Sequence, residues 1–271
     1  MTAVASWTDE RGPARSPAAS SDALLVVSDL HCSFGGVQAV NGTGFEVRAG
    51  SLTGLIGPNG AGKSTVINAI AGQIRPDSGS VCFDGEELQG LTTHRIARAG
   101  ITRTFQTPNL FPRLTVLENM LLGAPPWRGE SLLSALAGGR LWRRGQDRLI
   151  EQAQAIMQRF GTVSLQNEYA EALSGGQKRI VEIMRALMAN PKLLLLDEPM
   201  AGVNPTLAMR IAEHLDALRA SGVTMLMVEH DLRVVGEVCD PVIVMVQGRA
   251  VAEGTLTELR QNEEVVRAYL S

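Results

Sequence analysis

Leu52-Thr53-Gly54-Leu55-Ile56 runs directly into Gly57-Pro58-Asn59-Gly60-Ala61-Gly62-Lys63-Ser64-Thr65, and Val66-Ile67-Asn68-Ala69-Ile70-Ala71 follows. An apolar strand, a glycine loop and a helical run, in that order, are the context in which G-x-x-x-x-G-K-[ST] carries meaning. The glycines let backbone N–H groups close around phosphate oxygens. Lys63 brings a positive charge to the β/γ-phosphates and Ser64 offers a hydroxyl to Mg2+, all at a helix N-terminus that favours anions. Taken alone the stretch says nucleotide and no more, and a chance glycine turn is its alternative. Its strand-loop-helix order points to an α/β core.

Working outward, residues 24–27 and 44–48 read as strands about the turn-rich Phe34-Gly35-Gly36, and residues 78–85 as a strand ending in the Asp84-Gly85 turn. From about residue 111 to 183 the pattern turns helical. Thr115 and Glu118 form a capping-box start, and residues 148–160 carry apolar side chains at Leu149, Ala153, Ile156 and Phe160. This stretch is expected to be an inserted helical subdomain. Residues 193–196 and 223–228 are continuous apolar runs, as parallel strands covered on both faces require, with 205–220 as the crossover helix. Residues 242–252 read as a closing hairpin about Gln247-Gly248, and a last helix starts at Thr255, capped with Glu258.

Asp197 and Glu198, at the end of the four-leucine run, supply acidic groups to the same site. Asp197 suits the water shell of Mg2+, and Glu198 is placed to orient or deprotonate an attacking water. The expectation is that the two motifs lie on neighbouring strands. Leu173-Ser174-Gly175-Gly176-Gln177 stands before that run and opens a further helix: Ser174 can cap it and the glycines expose N–H groups, which makes a second anion site. One triphosphate cannot occupy both sites within one small domain. Two subunits meeting head to tail, each lending its second site to the other's γ-phosphate, resolve the difficulty.

The composition agrees. The 271 residues are 45% hydrophobic and 20% charged with a formal net charge of -3, the profile of a globular chain with a full core. No stretch approaches the roughly 18 uninterrupted apolar residues of a spanning helix. The mild acidity and the lack of a basic run argue against nucleic acid as a partner. Cys32, Cys82 and Cys239 are scattered, with no CxxC pair, and read as reduced packing residues. Residues 1–22 are rich in Ala, Ser, Pro and charge, lack the apolar stretch of a signal peptide and are expected to form a disordered tail.

From about residue 24 to 271 the chain resembles the nucleotide-binding subunits of ABC transporters, and Leu173 to Gln177 matches that family's LSGGQ motif letter for letter. The resemblance implies an α/β P-loop NTPase core of RecA type, residues 23–107 and 190–254, with an antiparallel β subdomain, an inserted α-helical subdomain at 108–189 and a C-terminal helix at 255–271. It implies ATP and Mg2+ as cofactors. By the same resemblance Gln106, in Arg103-Thr104-Phe105-Gln106, touches Mg2+ and the attacking water and couples the site to a membrane partner; Ser64 and Asp197 share the metal. His230, in Val228-Glu229-His230-Asp231, contacts the γ-phosphate, and Phe34 stacks on adenine. Gly57, Asn59, Gly60, Gly62, Lys63, Ser64 and Thr65 hold nucleotide in one subunit, and Ser174, Gly175, Gly176 and Gln177 act from the other. Without that context Gln106 reads as a loop residue, and His230 and Phe34 as core residues. Asn204 stands where the family's loop after the acidic pair usually has aspartate, and with Pro205 it makes a good helix start.

Residues 34–40, 103–106, 201–205 and 265–270 resemble the LivG-like ATPase subunits of branched-chain amino acid importers. That implies transmembrane permeases and a second ATP-binding subunit as partners, a substrate-binding protein indirectly, and a peripheral place on the cytoplasmic face of the inner membrane. Urea or amide importers, lipopolysaccharide-export ATPases and, more distantly, a soluble regulatory ABC ATPase are the alternatives. Trp127, Trp142 and the arginines from Arg140 to Arg148 read either as a solvated loop or as a grip on headgroups or a permease.

Overall fold

The computed structural model describes residues 22–105, 107–125 and 140–270. The tail expected over residues 1–22 falls almost wholly outside them, as do Gln106 and Trp127.

Strands β1 (Ala23–Phe34), β2 (Val37–Arg48), β4 (Ser78–Phe83) and β5 (Glu86–Glu87) form an antiparallel sheet in the order β2-β1-β4-β5. The second sheet contains β3 (Leu52–Ile56), β6 (Ile101–Arg103), β7 (Leu193–Asp197), β8 (Thr224–Val228), β9 (Val242–Val246) and β10 (Arg249–Gly254), in the order β10-β9-β3-β8-β7-β6. All its pairings are parallel except the β9–β10 hairpin.

Every residue of β3, β7 and β8 is buried, as continuous apolar strands between two covering layers must be. Alternation sorts their side chains. Leu193, Leu195, Leu226 and Val228 face one core with helix α1 (Lys63–Ile70) and the antiparallel sheet. Leu194, Leu196, Met225 and Met227 face the other core, built from helices α3 (Val116–Leu121), α4 (Arg140–Arg159), α5 (Gly175–Leu187), α6 (Pro205–Ala220) and α7 (Leu232–Val238). Cys32 and Cys239 are buried free thiols.

The structure departs from the sequence reading in several places. The strands carrying the phosphate loop and the acidic pair are not neighbours, because β8 lies between β3 and β7; strand order is set by long-range crossovers that no local pattern encodes. The C-terminus is two short helices, α8 (Leu256–Leu259) and α9 (Glu263–Leu270). Asn262 accepts from the Val265 N–H at 3.4 Å, so the chain restarts there after the Thr255–Glu258 capping box. Helix α2 (Thr93–Ala99) and the three-residue β6 (Ile101–Arg103) are additional elements between β5 and the helical stretch.

Candidate active site

Strands β3, β8 and β7 run parallel and end on one edge of the sheet, where open α/β sheets place their ligands. β3 releases the glycine loop, β7 delivers Asp197 and Glu198, and β8 delivers Glu229 and His230 between them.

Gly62 is the N-cap of α1 at φ +96° and has no side-chain capping bond, so the first-turn N–H groups are left for an anion. A Cβ there would stand 2.3 Å from the Ala39 carbonyl oxygen, which makes glycine obligatory. The turn between β9 and β10 fastens this loop from outside. Gly248 N–H donates to Ala61 O at 3.1 Å, and Gly248 O accepts from Asn41 N at 2.8 Å and from Thr43 Oγ1 at 2.5 Å. The buried Lys63 ammonium folds back over the loop, donating to Gly57 O at 2.8 Å and Pro58 O at 3.0 Å. Burial pushes Lys63 down from the ordinary lysine value, while Glu198 and Asp197 hold it up. The structure therefore brings Lys63 and the acidic pair within one electrostatic neighbourhood.

Asp197 is buried and accepts at Oδ2 from Arg103 at 2.8 Å, and Arg103 also reaches Asn68 and Gln73. Glu198 adopts a left-handed backbone, φ 47°, a conformation that costs energy in a non-glycine residue and clusters at functional sites. Its N–H is tied to Val228 O at 2.9 Å. A hydroxyl at Ser64 and a carboxylate at Asp197 are oxygen donors that suit Mg2+, which is usually held by one or two carboxylates plus substrate phosphates. Asn59, Gly60 and Ser64 are exposed and Thr65 is half-buried.

Phe34 and His230 are not core residues. Phe34 ends β1 with 52% of its surface exposed, and the His230 side chain is 64% exposed. Both project from the strand ends with their polar or π faces available.

The turn from Ser174 to Gln177 is seated elsewhere, on α6. Ser174 caps α5 by accepting from Gln177 N–H at 3.3 Å, and Gln177 Oε1 accepts from Ser174 N–H at 2.8 Å, a complete capping box. Gly175 opens to space, whereas a Cβ on Gly176 would lie 2.1 Å from Leu207 Cδ2. One glycine keeps the helix end bare and the other lets the turn press on α6. Asn204 caps α6 by accepting from Leu207 N–H at 2.9 Å, with Pro205 in the first turn.

Several buried polar residues that the sequence reading left out hold these pieces together. Arg179 and Glu182, 2% and 1% exposed, pair at 2.9 Å on α5. Between them they take the Phe105 N–H, on Glu182 Oε1 at 2.9 Å, and the Phe105 carbonyl, from Arg179 Nη1 at 2.6 Å. Burial pushes the Glu182 carboxyl up, against the Phe105 N–H and the Arg179 charge. Arg185 donates to Asn109 O at 2.7 Å, so α5 grips the chain on both sides of position 106. Asn119 is fully buried and binds the backbone of Phe111, Leu114 and Thr115. In one sequence each of these looks like an ordinary polar position on an amphipathic helix. The i, i+3 spacing of Arg179 and Glu182 was the only available signal, and it marks surface pairs equally well.

The profile of a family described as ABC transporter matches residues 40–201. The high-affinity branched-chain amino acid transport ATP-binding protein BraF of Pseudomonas aeruginosa is 39% identical over 248 residues, 91% of this chain and 97% of that protein. The crystal structure of an ATP-binding cassette of an ABC transporter in its ADP conformation superposes with a TM-score of 0.80 at 38% identity, covering 92% of this chain and 99% of that one. A dimeric bacterial ABC transporter cassette gives a TM-score of 0.72 at 26% identity, covering 86% and 98%. Agreement of this extent, in the profile and along nearly the whole of each relative, means that the chain belongs to the ABC transporter family, as an ATP-binding cassette.

Proposed function

We propose that this ATPase energises the import of branched-chain or other hydrophobic amino acids through partner permeases, working from the cytoplasmic face of the membrane as one of two paired cassettes. The observation that carries the reading is the 39% identity to a branched-chain amino acid transport ATP-binding protein across 97% of its length. The dimeric state of a related cassette supports the pairing. Among the described residues no helix is long and apolar enough to cross a membrane, so the transport path is assigned to other polypeptides.

Within this reading the catalytic core is 23–107 with 190–254, and 108–189 is the helical part that meets the permease. The first-turn N–H groups of α1 and the Lys63 ammonium take the phosphates, and Phe34 stacks on the base. Ser64, Asp197 and Gln106 are the groups that would hold Mg2+, which when bound draws negative charge off the phosphates. Arg103 and Thr104 orient Asp197, the second through a 3.4 Å bond to its N–H. Glu198 takes the proton of the attacking water as its oxygen closes on the γ-phosphorus and the bond to the β-γ bridging oxygen breaks, leaving ADP and phosphate. His230 donates to a γ-oxygen, and a second cassette closes the site with its own turn of Ser174, Gly175, Gly176 and Gln177.

Glu198→Gln tests the chemistry. It is expected to bind ATP normally, to lose roughly 10²–10⁴-fold in turnover, and to accumulate an ATP-dependent dimer on size exclusion. Near-normal hydrolysis removes Glu198 from the role. Reconstitution with candidate permeases and binding protein tests the cargo: leucine is expected to stimulate ATP turnover and urea or short-chain amides are not. The opposite pattern overturns the cargo and leaves the ATPase intact.

A further inference from the structure

The ends of β7 and β8 are cross-linked by one side chain that neither the motifs nor the proposed chemistry uses. Glu229 is fully buried. Its Oε1 accepts from the Met200 N–H at 2.8 Å, two residues beyond Glu198, and its Oε2 accepts from the His230 N–H at 3.0 Å. The His230 Nδ1 stands 3.7 Å from Oε2, too far for a hydrogen bond. Above the carboxylate opens a cleft of about 280 Å³, with Met200, Gly202 and Val203 on one wall and His230, Asp231 and Arg233 on the other.

A buried carboxylate without a bonded cation is expensive unless N–H groups surround it. Here the two donors are main-chain groups from the two walls of the cleft, and each oxygen takes one. A shorter acid cannot span both, and an amide presents a donor to one of two donors. The residue type and its length are therefore both specified by the need to join these two backbones. Glu198 is drawn into the same stitch by its own N–H bond to Val228 O.

We propose that Glu229 is a positioning residue for ATP hydrolysis, setting the backbone beside Glu198 and the backbone of His230 with one carboxylate so that the two ends of the site keep a fixed separation. This rests on the assignment of Glu198 and His230 given above. The group touches no reacting atom. It acts by stopping the loop of Met200 to Val203 and the His230 segment from moving independently across the cleft, and a displacement of about 1 Å at such a point costs on the order of a hundredfold in rate.

Two measurements test it. Glu229→Gln and Glu229→Asp are expected to lower kcat by about tenfold to a hundredfold, with KM for ATP and binding of a fluorescent ATP analogue changed less than about twofold. Glu229→Gln combined with His230→Ala is expected to be no worse than the slower single variant, because both act at one point. Wild-type kcat in both Glu229 variants, or a fall in kcat accompanied by a rise in KM and a loss of thermal stability, overturns the proposal. If Glu198→Gln and His230→Ala themselves hydrolyse ATP at the wild-type rate, the functional reading fails instead. The second measurement needs no variant. In the unmutated cassette the amides of Met200 and His230 share one acceptor group, so their hydrogen-exchange protection is expected to agree within about threefold and to exceed that of Gly202 by at least about tenfold. Protection at one of the two and not the other overturns the proposal.

Discussion

Replacing Asn119 by alanine removes one side chain and four hydrogen bonds, and the structure says which of them matter. Oδ1 accepts from the Phe111 N–H at 2.8 Å, and Nδ2 donates to the carbonyls of Phe111, Leu114 and Thr115 at 3.1, 3.1 and 3.0 Å. Each carbonyl has a second partner: the Leu114 N–H for Phe111 O, the Ala170 N–H for Leu114 O and the Asn119 N–H for Thr115 O. The Phe111 N–H alone is orphaned. One orphaned donor costs about 1–3 kcal/mol and each lost carbonyl bond about 0.5 kcal/mol, which puts Asn119→Ala near 3 kcal/mol. For a domain of this size that is a fall of roughly 6–12 °C in Tm, read by differential scanning fluorimetry.

Asn119→Asp sharpens the point. It keeps the acceptor for Phe111 but turns an oxygen toward three carbonyl oxygens in a fully buried site, so at neutral pH it is expected to melt below the alanine variant. The aspartate would bind a proton more tightly folded than unfolded. Its contribution is therefore best below the ordinary carboxylate pKa and is lost as pH rises through the elevated folded value, so the gap between the two variants should close on acidification. A Tm for Asn119→Ala within about 2 °C of wild type, or Asp above Ala at neutral pH, refutes the reasoning.

Gly62→Ala sets a Cβ 2.3 Å from Ala39 O at a positive φ and is expected to weaken ATP binding more than about tenfold, measured by equilibrium titration, because the loop must shift. Phe34→Ala is expected to cost about 1–3 kcal/mol of ATP affinity and nothing for inorganic triphosphate, which calorimetry can compare. Arg179→Met alone takes the cation from Glu182 in the interior and should destabilise by about 3–5 kcal/mol, whereas Arg179→Met with Glu182→Leu should recover only part of that loss on urea denaturation, because the Phe105 N–H then loses its acceptor. Lys63 titrates below the ordinary lysine value for reasons of burial, so its charge weighs against folding at neutral pH and that penalty lifts as pH rises through the folded value. Glu198→Gln removes a carboxylate that holds it up, and the side-chain nitrogen resonance of Lys63 is expected to titrate at still lower pH.

What was legible in the sequence is what is local. The phosphate loop, the Asn204-Pro205 start of α6, the cap at Ser174 and the capping boxes at Thr115 and Thr255 are each written in a few consecutive residues, and each folds as read. The extent of β1 and β2 was underestimated because their far halves alternate with small and polar residues, and pairing with each other, not hydrophobicity, carries them on. The position of β8 between β3 and β7 depends on contacts across the whole chain. The roles of Glu182, Glu229 and Asn119 were invisible for another reason: their partners are backbone groups, and a backbone N–H or C=O leaves no mark in a sequence. The LivG-like group was legible through short, widely spaced matches, and the relatives bear it out.

The knot at Gly248, which binds Ala61, Asn41 and Thr43 at once, has a consequence for how occupancy is reported. A loop that had to order itself around ATP would forfeit about 1–2 kcal/mol of affinity per residue frozen, and in return its ordering could serve as a message. This loop is stitched to β2 and to the β9–β10 turn by hydrogen bonds of the chain itself, so it behaves as an anvil: the fold sets its shape. News that ATP has bound must then leave by parts not riveted to that turn, the exposed imidazole of His230 and the bare end of α5 at Gly175.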